Sequence, residues 1–402
     1  MKMMKIKTVV SALLLAALAL CASGALAAAP ATVTGGRIGT DYHWAEGEGY
    51  YALFVKSSGL TVSDWHGKGQ IVVDAESGED VALTLDNVQI EYEHEVFSIW
   101  RGRLLTLTLK NGTSLTGTGG MSTVASSVGV SNMQLEIVVP AGDSAAITSE
   151  NEEAISMPGV GYDSLRVSGN AVISGKNAGI AVHAGSRFSF PSVEVDGAQV
   201  SGRNAISIVG TSGANVLVKN SKVTGEAAIS VDSSGTTEVR IINSEVTGDA
   251  VGVVVVGFPG DIDVQAKDSM ITGGAAVGIQ LINFGSGRAD VTLHRNVVVE
   301  GAFAAIIAAR NYTNTNFEYG RVLVDGEDIA MQIMSEPYMT IVRSNDFFKT
   351  QPDAVQPDAV QPDAGKNDAI LLPATGDSSS LILWAALLGM ACVCLGMKRR
   401  AA

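Results

Sequence analysis

The sequence predicts an all-β fold, a right-handed single-stranded parallel β-helix with terminal caps. Three observations predict it. A triplet of β-branched residue, Ser or Thr, then Gly recurs as Ile173-Ser174-Gly175, Val200-Ser201-Gly202, Val223-Thr224-Gly225, Val246-Thr247-Gly248 and Ile271-Thr272-Gly273, with Val299-Glu300-Gly301 as a weaker sixth copy. Five residues before each glycine stands a turn residue: Asn170, Gly197, Asn220, Asn243, Asp268 and Asn296. Strands with two-residue alternation, such as Val216-Leu217-Val218 and Val239-Arg240-Ile241, fill the interval.

The triplet glycines are 27, 23, 23, 25 and 28 residues apart. A repeat of that length is one supersecondary unit that cannot bury its apolar face alone. Long runs of helix formers are missing, and so is the Leu spacing of leucine-rich repeats. Each unit therefore holds about three short strands, and stacking pairs every strand with its copy in parallel at about 4.8 Å. Inward Val, Ile and Ala then form columns. Asn suits the turn because it tolerates left-handed backbone angles and can hydrogen-bond to its copies above and below. Right-handedness follows from the usual sense of parallel crossovers.

Strands ending in turn residues are also legible in the first third, at Ile71-Val72-Val73-Asp74, 81–87 and 105–111, and Leu115-Thr116-Gly117 echoes the triplet. The solenoid is expected over 50–348, with residues 28–49 capping its first end and a closing segment near 335–348. Caps are needed because an open end exposes unpaired strand edges.

The two ends of the chain carry targeting features. Lys2, Lys5 and Lys7, the apolar run from Val9 to Leu20 and Ala25-Leu26-Ala27 predict a helical secretory signal peptide over 1–27. At the other end Leu372-Pro373-Ala374-Thr375-Gly376 precedes an apolar stretch, 381–397, and then Lys398-Arg399-Arg400. The stretch is near the lower limit for a transmembrane helix, and the basic tail favours the cytoplasmic side. Between solenoid and motif, residues 349–371 contain Gln351-Pro352-Asp353-Ala354-Val355 repeated from Gln356 and Gln361. Such a segment cannot continue a helix or bury a core, and predicts an extended spacer.

The C-terminal region, 372–402, resembles the sortase-dependent sorting signals of Gram-positive surface proteins. The resemblance implies cleavage between Thr375 and Gly376 and covalent attachment of Thr375 to peptidoglycan. It also implies an extracellular, wall-attached location, with sortase as a partner and the membrane as one only before sorting. Residues 61–63, 67–74, 83–90 and 105–117 resemble secreted clostridial β-helix proteins described as carbohydrate-binding, related in fold to pectate lyases. That likeness covers roughly 55–335. It implies binding of acidic cell-wall polysaccharide, with calcium as an optional helper and no cofactor required.

Loss of Lys2, Lys5, Lys7, Lys398, Arg399, Arg400 and Asp377 on processing shifts the net charge from −14 to about −19. Nucleic acid is excluded as a partner on that balance. Cys21, Cys392 and Cys394 all fall in the terminal segments, so the exposed domain depends on burial and backbone pairing rather than disulfides.

A glycosidase needs paired carboxylates across the scissile bond. The Asn-Thr-Asp, Asp-Asp, Gly-His-Gly and Arg-Ile-Lys motifs of polygalacturonases are missing from the sequence. Arg187, Arg203, Arg240, His183 and His294 read as solvated strand positions, and no catalytic residue is assigned. A lyase of pectate-lyase-like fold is the alternative, and an adhesin for host protein or a rigid display rod is a third.

Two features point to non-catalytic ligand binding. Trp44, Trp65 and Trp100, with Tyr92 nearby, gather in the first quarter of the domain, where exposed rings can stack on sugar faces; the competing reading makes them the cap's core. In Glu91-Tyr92-Glu93-His94-Glu95, strand alternation would place Glu91, Glu93 and Glu95 on one face as oxygen ligands for calcium; the competing reading is a solvated acidic face.

Overall fold

The computed structural model describes residues 30–310, 321–325, 327–328, 335–336 and 339–342, apart from Ser77, 127–131, 160–161, 185–188, Thr211, Ser286 and Arg295. The segments expected to form a signal peptide, a spacer, a sorting signal and a transmembrane stretch lie outside these residues. Among the described residues no helix is long and apolar enough to cross a membrane.

The chain winds as a right-handed parallel β-solenoid with three strand faces per rung. The rung at its middle shows the plan: Gly213–Lys219 forms the first face, and Lys222–Ser233 bends to supply the second and third. Each strand pairs in parallel with its counterparts in the rungs before and after, as Val216 does with Val193 and Val239. The first face runs from Leu60–Ser63 to Arg321–Val324.

The triplets stack in register along the second face: Ile173 on Val200, Val223, Val246, Ile271 and Val299. These side chains are fully buried and face the lumen. Each such burial contributes about 1.5–3 kcal/mol, which is how a solenoid without disulfides holds together. The glycines have a steric cause. A Cβ on Gly175, Gly248 or Gly273 would lie 1.9 Å from the carbonyl oxygen of Ala178, Val251 or Val277, where the chain bends into the third face.

Left-handed turn residues mark the corner between first and second faces, with positive φ at Asp64, Asn87, Asn111, Gly197, Asn220, Asn243 and Asp268. One expectation is corrected. Gly169, not Asn170, carries the positive φ, because this corner holds one extra residue: Ser168 pairs with Asp196, whereas Val172 pairs with Gln199. A column of hydroxyls just after the turn was not foreseen. Ser221 N–H donates to Ser244 Oγ at 3.2 Å, Ser244 N–H to Ser269 Oγ at 3.1 Å, and each hydroxyl donates to a nearby carbonyl.

At the first end Thr32–Thr34 pairs antiparallel with Leu60–Ser63. A hairpin of Tyr42–Gly47 and Tyr50–Val55 follows, and its second strand begins the third face by pairing in parallel with Gly69–Val73. At the far end Met339–Val342 runs antiparallel to Ile306–Ala309. Both terminal strands reverse direction, so neither offers another parallel edge.

Candidate functional site

The N-terminal aromatic residues separate into an inner and an outer group. Trp65 belongs to the inner one. It follows the left-handed Asp64, which turns the ring into the lumen of the first rung, and it is 0% exposed. Gly69 makes room, since a Cβ there would meet the Trp65 ring at 2.2 Å. Trp44, half-buried on the capping hairpin, packs edge-on to Trp65 at 5.0 Å and to Tyr51 at 6.5 Å. Tyr92 is buried against Tyr50, ring centroids 5.0 Å apart. Burial raises the Tyr92 phenol pKa, and Tyr50 adds to the effect. Trp65 and Tyr92 therefore plug the open end and cannot stack on a ligand from solvent; Trp44 braces the plug.

Trp100 is different. Its strand, Phe97–Arg101, pairs Ile99 with Val73 and Arg101 with Asp74, leaving Trp100 as the extra residue of a β-bulge. The ring emerges on the outside of the third face, 48% exposed. It stands edge-on to Phe54 at 5.8 Å, and His43 stacks on Phe54 at 4.6 Å with planes 6° apart. The three rings form an outer strip across the cap and the second complete rung. Beside it Arg101 Nε donates to Asp74 Oδ1 at 2.6 Å, an ion pair that raises the guanidinium pKa further. His43 is held below its usual pKa, first by desolvation and then by Lys56, with Asp74 opposing.

The acidic run does not share a face. The strand ends at Tyr92, so alternation stops there. Glu91 is exposed on the second face, Glu93 sits in the bend that follows, and the Glu95 carboxylate accepts a hydrogen bond from Ser98 Oγ. Among the described residues no three His, Cys, Asp or Glu side chains converge as a metal-holding group.

The chain matches no protein-family model, no curated protein and no solved structure.

Of the polar positions weighed for catalysis, Arg203 pairs with Glu226 at 2.9 Å, Arg240 pairs with Glu238, and His294 Nδ1 lies 3.7 Å from Asp325. His183 departs from the expected solvated position: burial of the ring lowers its pKa, with Glu153 opposing. Arg187 lies outside the described residues.

Sequence reasoning missed a second exposed aromatic group. Phe258 and Phe284 sit on successive rungs, at the corner where the third face turns back to the first. The signal was present: each directly follows its strand, as Gly257-Phe258 and Asn283-Phe284.

Proposed function

We propose that this protein is a wall-anchored surface protein whose solenoid binds polysaccharide without catalysis. The observation that carries the binding reading is the outer strip. Trp100 presents about half its surface to solvent while Phe54 and His43 brace it. A rigid, amphipathic ring of this kind stacks on a sugar face at little cost in conformational entropy. The adjacent Arg101–Asp74 pair supplies donors and acceptors for hydroxyls. The ion pairs of Arg203 and Arg240 favour binding over chemistry, since both cations are engaged in cross-strand or same-strand contacts. Sortase, peptidoglycan and an extracellular, wall-attached location enter this reading through Leu372, Pro373, Ala374, Thr375 and Gly376 with the apolar and basic residues behind them. Calcium enters only as an optional ligand.

Affinity electrophoresis through gels containing polygalacturonate, hyaluronan or hydroxyethyl cellulose tests the binding. Retardation by one polymer that is lost in Trp100→Ala, at unchanged Tm, is expected; no retardation by any of the three overturns the reading. Absorbance of unsaturated products from polygalacturonate would convert it to the lyase alternative. For anchoring, muramidase should release the wild-type chain from cell walls, whereas Thr375→Ala should leave that fraction. Equal distribution of the two sinks the anchoring half.

A further inference from the structure

The Phe258–Phe284 corner is built as a rigid platform. Phe258 N–H donates to Ser233 O and Phe284 N–H to Gly257 O, both at 2.9 Å, so each corner hangs on the rung before it. Asn283 is buried and clamps the two corners together. Its amide Nδ2 donates to Gly260 O at 2.9 Å and Arg288 O at 3.1 Å, and its Oδ1 accepts from Gly285 N–H at 2.9 Å. Successive corners touch through glycine. A Cβ on Gly260 would lie 2.1 Å from the carbonyl carbon of Gly235, and one on Gly287 would lie 2.1 Å from Gly260 O. Against this stack Phe258 is 57% exposed and Phe284 48% exposed.

Two large apolar rings held at the surface by a fixed backbone forgo the burial that ordinarily places Phe inside. A neighbouring ion pair supplies the polar partner: Arg288 Nε and a terminal nitrogen donate to Asp261 Oδ2 at 3.3 and 3.1 Å, bridging the same two rungs at the surface. The two residues stand one rung apart, about 4.8 Å in backbone rise, close to the length of one pyranose unit of an extended chain. The guanidinium–carboxylate pair beside them offers donors and acceptors to sugar hydroxyls. A protein partner would need a broader apolar surface than two rings edged by charges.

The corner also lies on the same side of the solenoid as Trp100. Ser98 shares a column of the third face with Ala125, Ser156, Ala181, Ser207, Ser230 and Val254. Trp100 follows Ser98 by two residues, and Phe258 follows Val254 by four. Six rung steps separate them, roughly 29 Å at about 4.8 Å per rung.

We infer that Phe258 and Phe284 form a second sugar-stacking subsite, and that a long linear polysaccharide lies along the trailing edge of the third face to touch it and Trp100 together. The inference rests on the polysaccharide reading above and adds its ligand class: polymer in preference to short oligosaccharide. Two linked subsites bind a spanning chain more tightly than either alone, by about 10²–10⁴ where geometry permits.

The test uses the full-length chain in detergent, with polygalacturonate, hyaluronan and hydroxyethyl cellulose, each beside its own trisaccharide, in calorimetric titration. Phe258→Ala/Phe284→Ala should lose at least about tenfold in affinity for the polymer and keep its trisaccharide affinity at Trp100. Phe258→Tyr/Phe284→Tyr retains the rings and should bind polymer as wild type does. If the Ala variant binds polymer like wild type while Trp100→Ala does not, the second subsite is absent and the polysaccharide reading survives. If the Tyr variant also loses affinity, stacking is not the interaction and the inference falls. If wild type binds none of these polymers, the reading fails and takes the inference with it. If light scattering shows wild type as a dimer that the Ala variant dissociates, the corner is a contact between copies instead.

Discussion

The side-chain amide of Asn243 donates to Oδ1 of Asn220, one rung earlier, at 2.8 Å. Asn220 in turn donates to Asp196 at 2.7 Å, so the turn residues form a hydrogen-bonded column along the corner. At its foot, burial raises the Asp196 pKa, but hydrogen bonds from Asn220 and Lys219 outweigh that and hold the carboxyl below its ordinary value. Asn243 also carries a φ of 47°. Asn243→Ala should therefore lose the ladder bond and place a Cβ-bearing residue in the left-handed region without compensation, for a total of about 2 kcal/mol. Asn243→Gly removes only the side-chain bond and should be milder. Urea midpoints of the two variants check the order, and Gly as damaging as Ala would show that backbone conformation is not the cause.

Gly248 stands where a Cβ would lie 1.9 Å from Val251 O, an atom fixed by pairing to the next rung. No rotamer relieves that contact. Gly248→Ala should cost about 1–3 kcal/mol by urea denaturation. The same change at Gly49, where nothing lies within 4 Å of a Cβ, meets only the backbone penalty of its φ of 80°. An undamaged Gly248→Ala would mean the strand can open at the bend between the second and third faces.

These two columns explain why the solenoid was legible in the sequence. A left-handed corner and a bend without room for Cβ both restrict residue choice, and both recur once per rung. The first rungs were harder to see because other residues fill the glycine position. In register, Gly117 aligns with Tyr92 on one side and Ser149 on the other. Tyr92 fits there because the capping hairpin provides Tyr50 to pack against. Alternation misled at Glu93 and Glu95 because it holds only within a strand, and nothing in the residues announces that the strand ends at Tyr92. Trp100 faces solvent through a bulge, and a bulge is a mismatch between two strands far apart in sequence.

Trp65 and Trp100 should respond to truncation in opposite ways. Trp65 fills the lumen and contacts Trp44, so Trp65→Ala leaves a large cavity under the cap and should cost about 3–5 kcal/mol. Trp100 touches Phe54 by an edge and leaves about half its surface in solvent, so Trp100→Ala should cost far less, about 1 kcal/mol or below. Thermal unfolding of both variants checks this. A stability loss at Trp100 matching that at Trp65 would make the outer strip part of the core and remove its role as a platform.

The stability of the fold should fall on mild acidification, through two half-buried imidazoles. Burial of the His183 ring lowers its pKa from 6.5, with Glu153 working against the shift. His43 is lowered too, by desolvation and Lys56. A histidine held below its ordinary value stays neutral in the folded state at a pH where the unfolded chain already binds a proton. Across that window the unfolded state holds more protons, so stability rises with pH. The contribution is fully present above about pH 6.5 and is lost progressively as the pH falls towards the depressed folded value. His183→Gln keeps a polar side chain of similar size but cannot titrate. Between about pH 7.5 and about pH 5 its Tm should fall less than that of wild type, and the two curves should diverge below about pH 6.5. Parallel curves throughout would place the His183 ring in water, with no desolvation to lower its pKa.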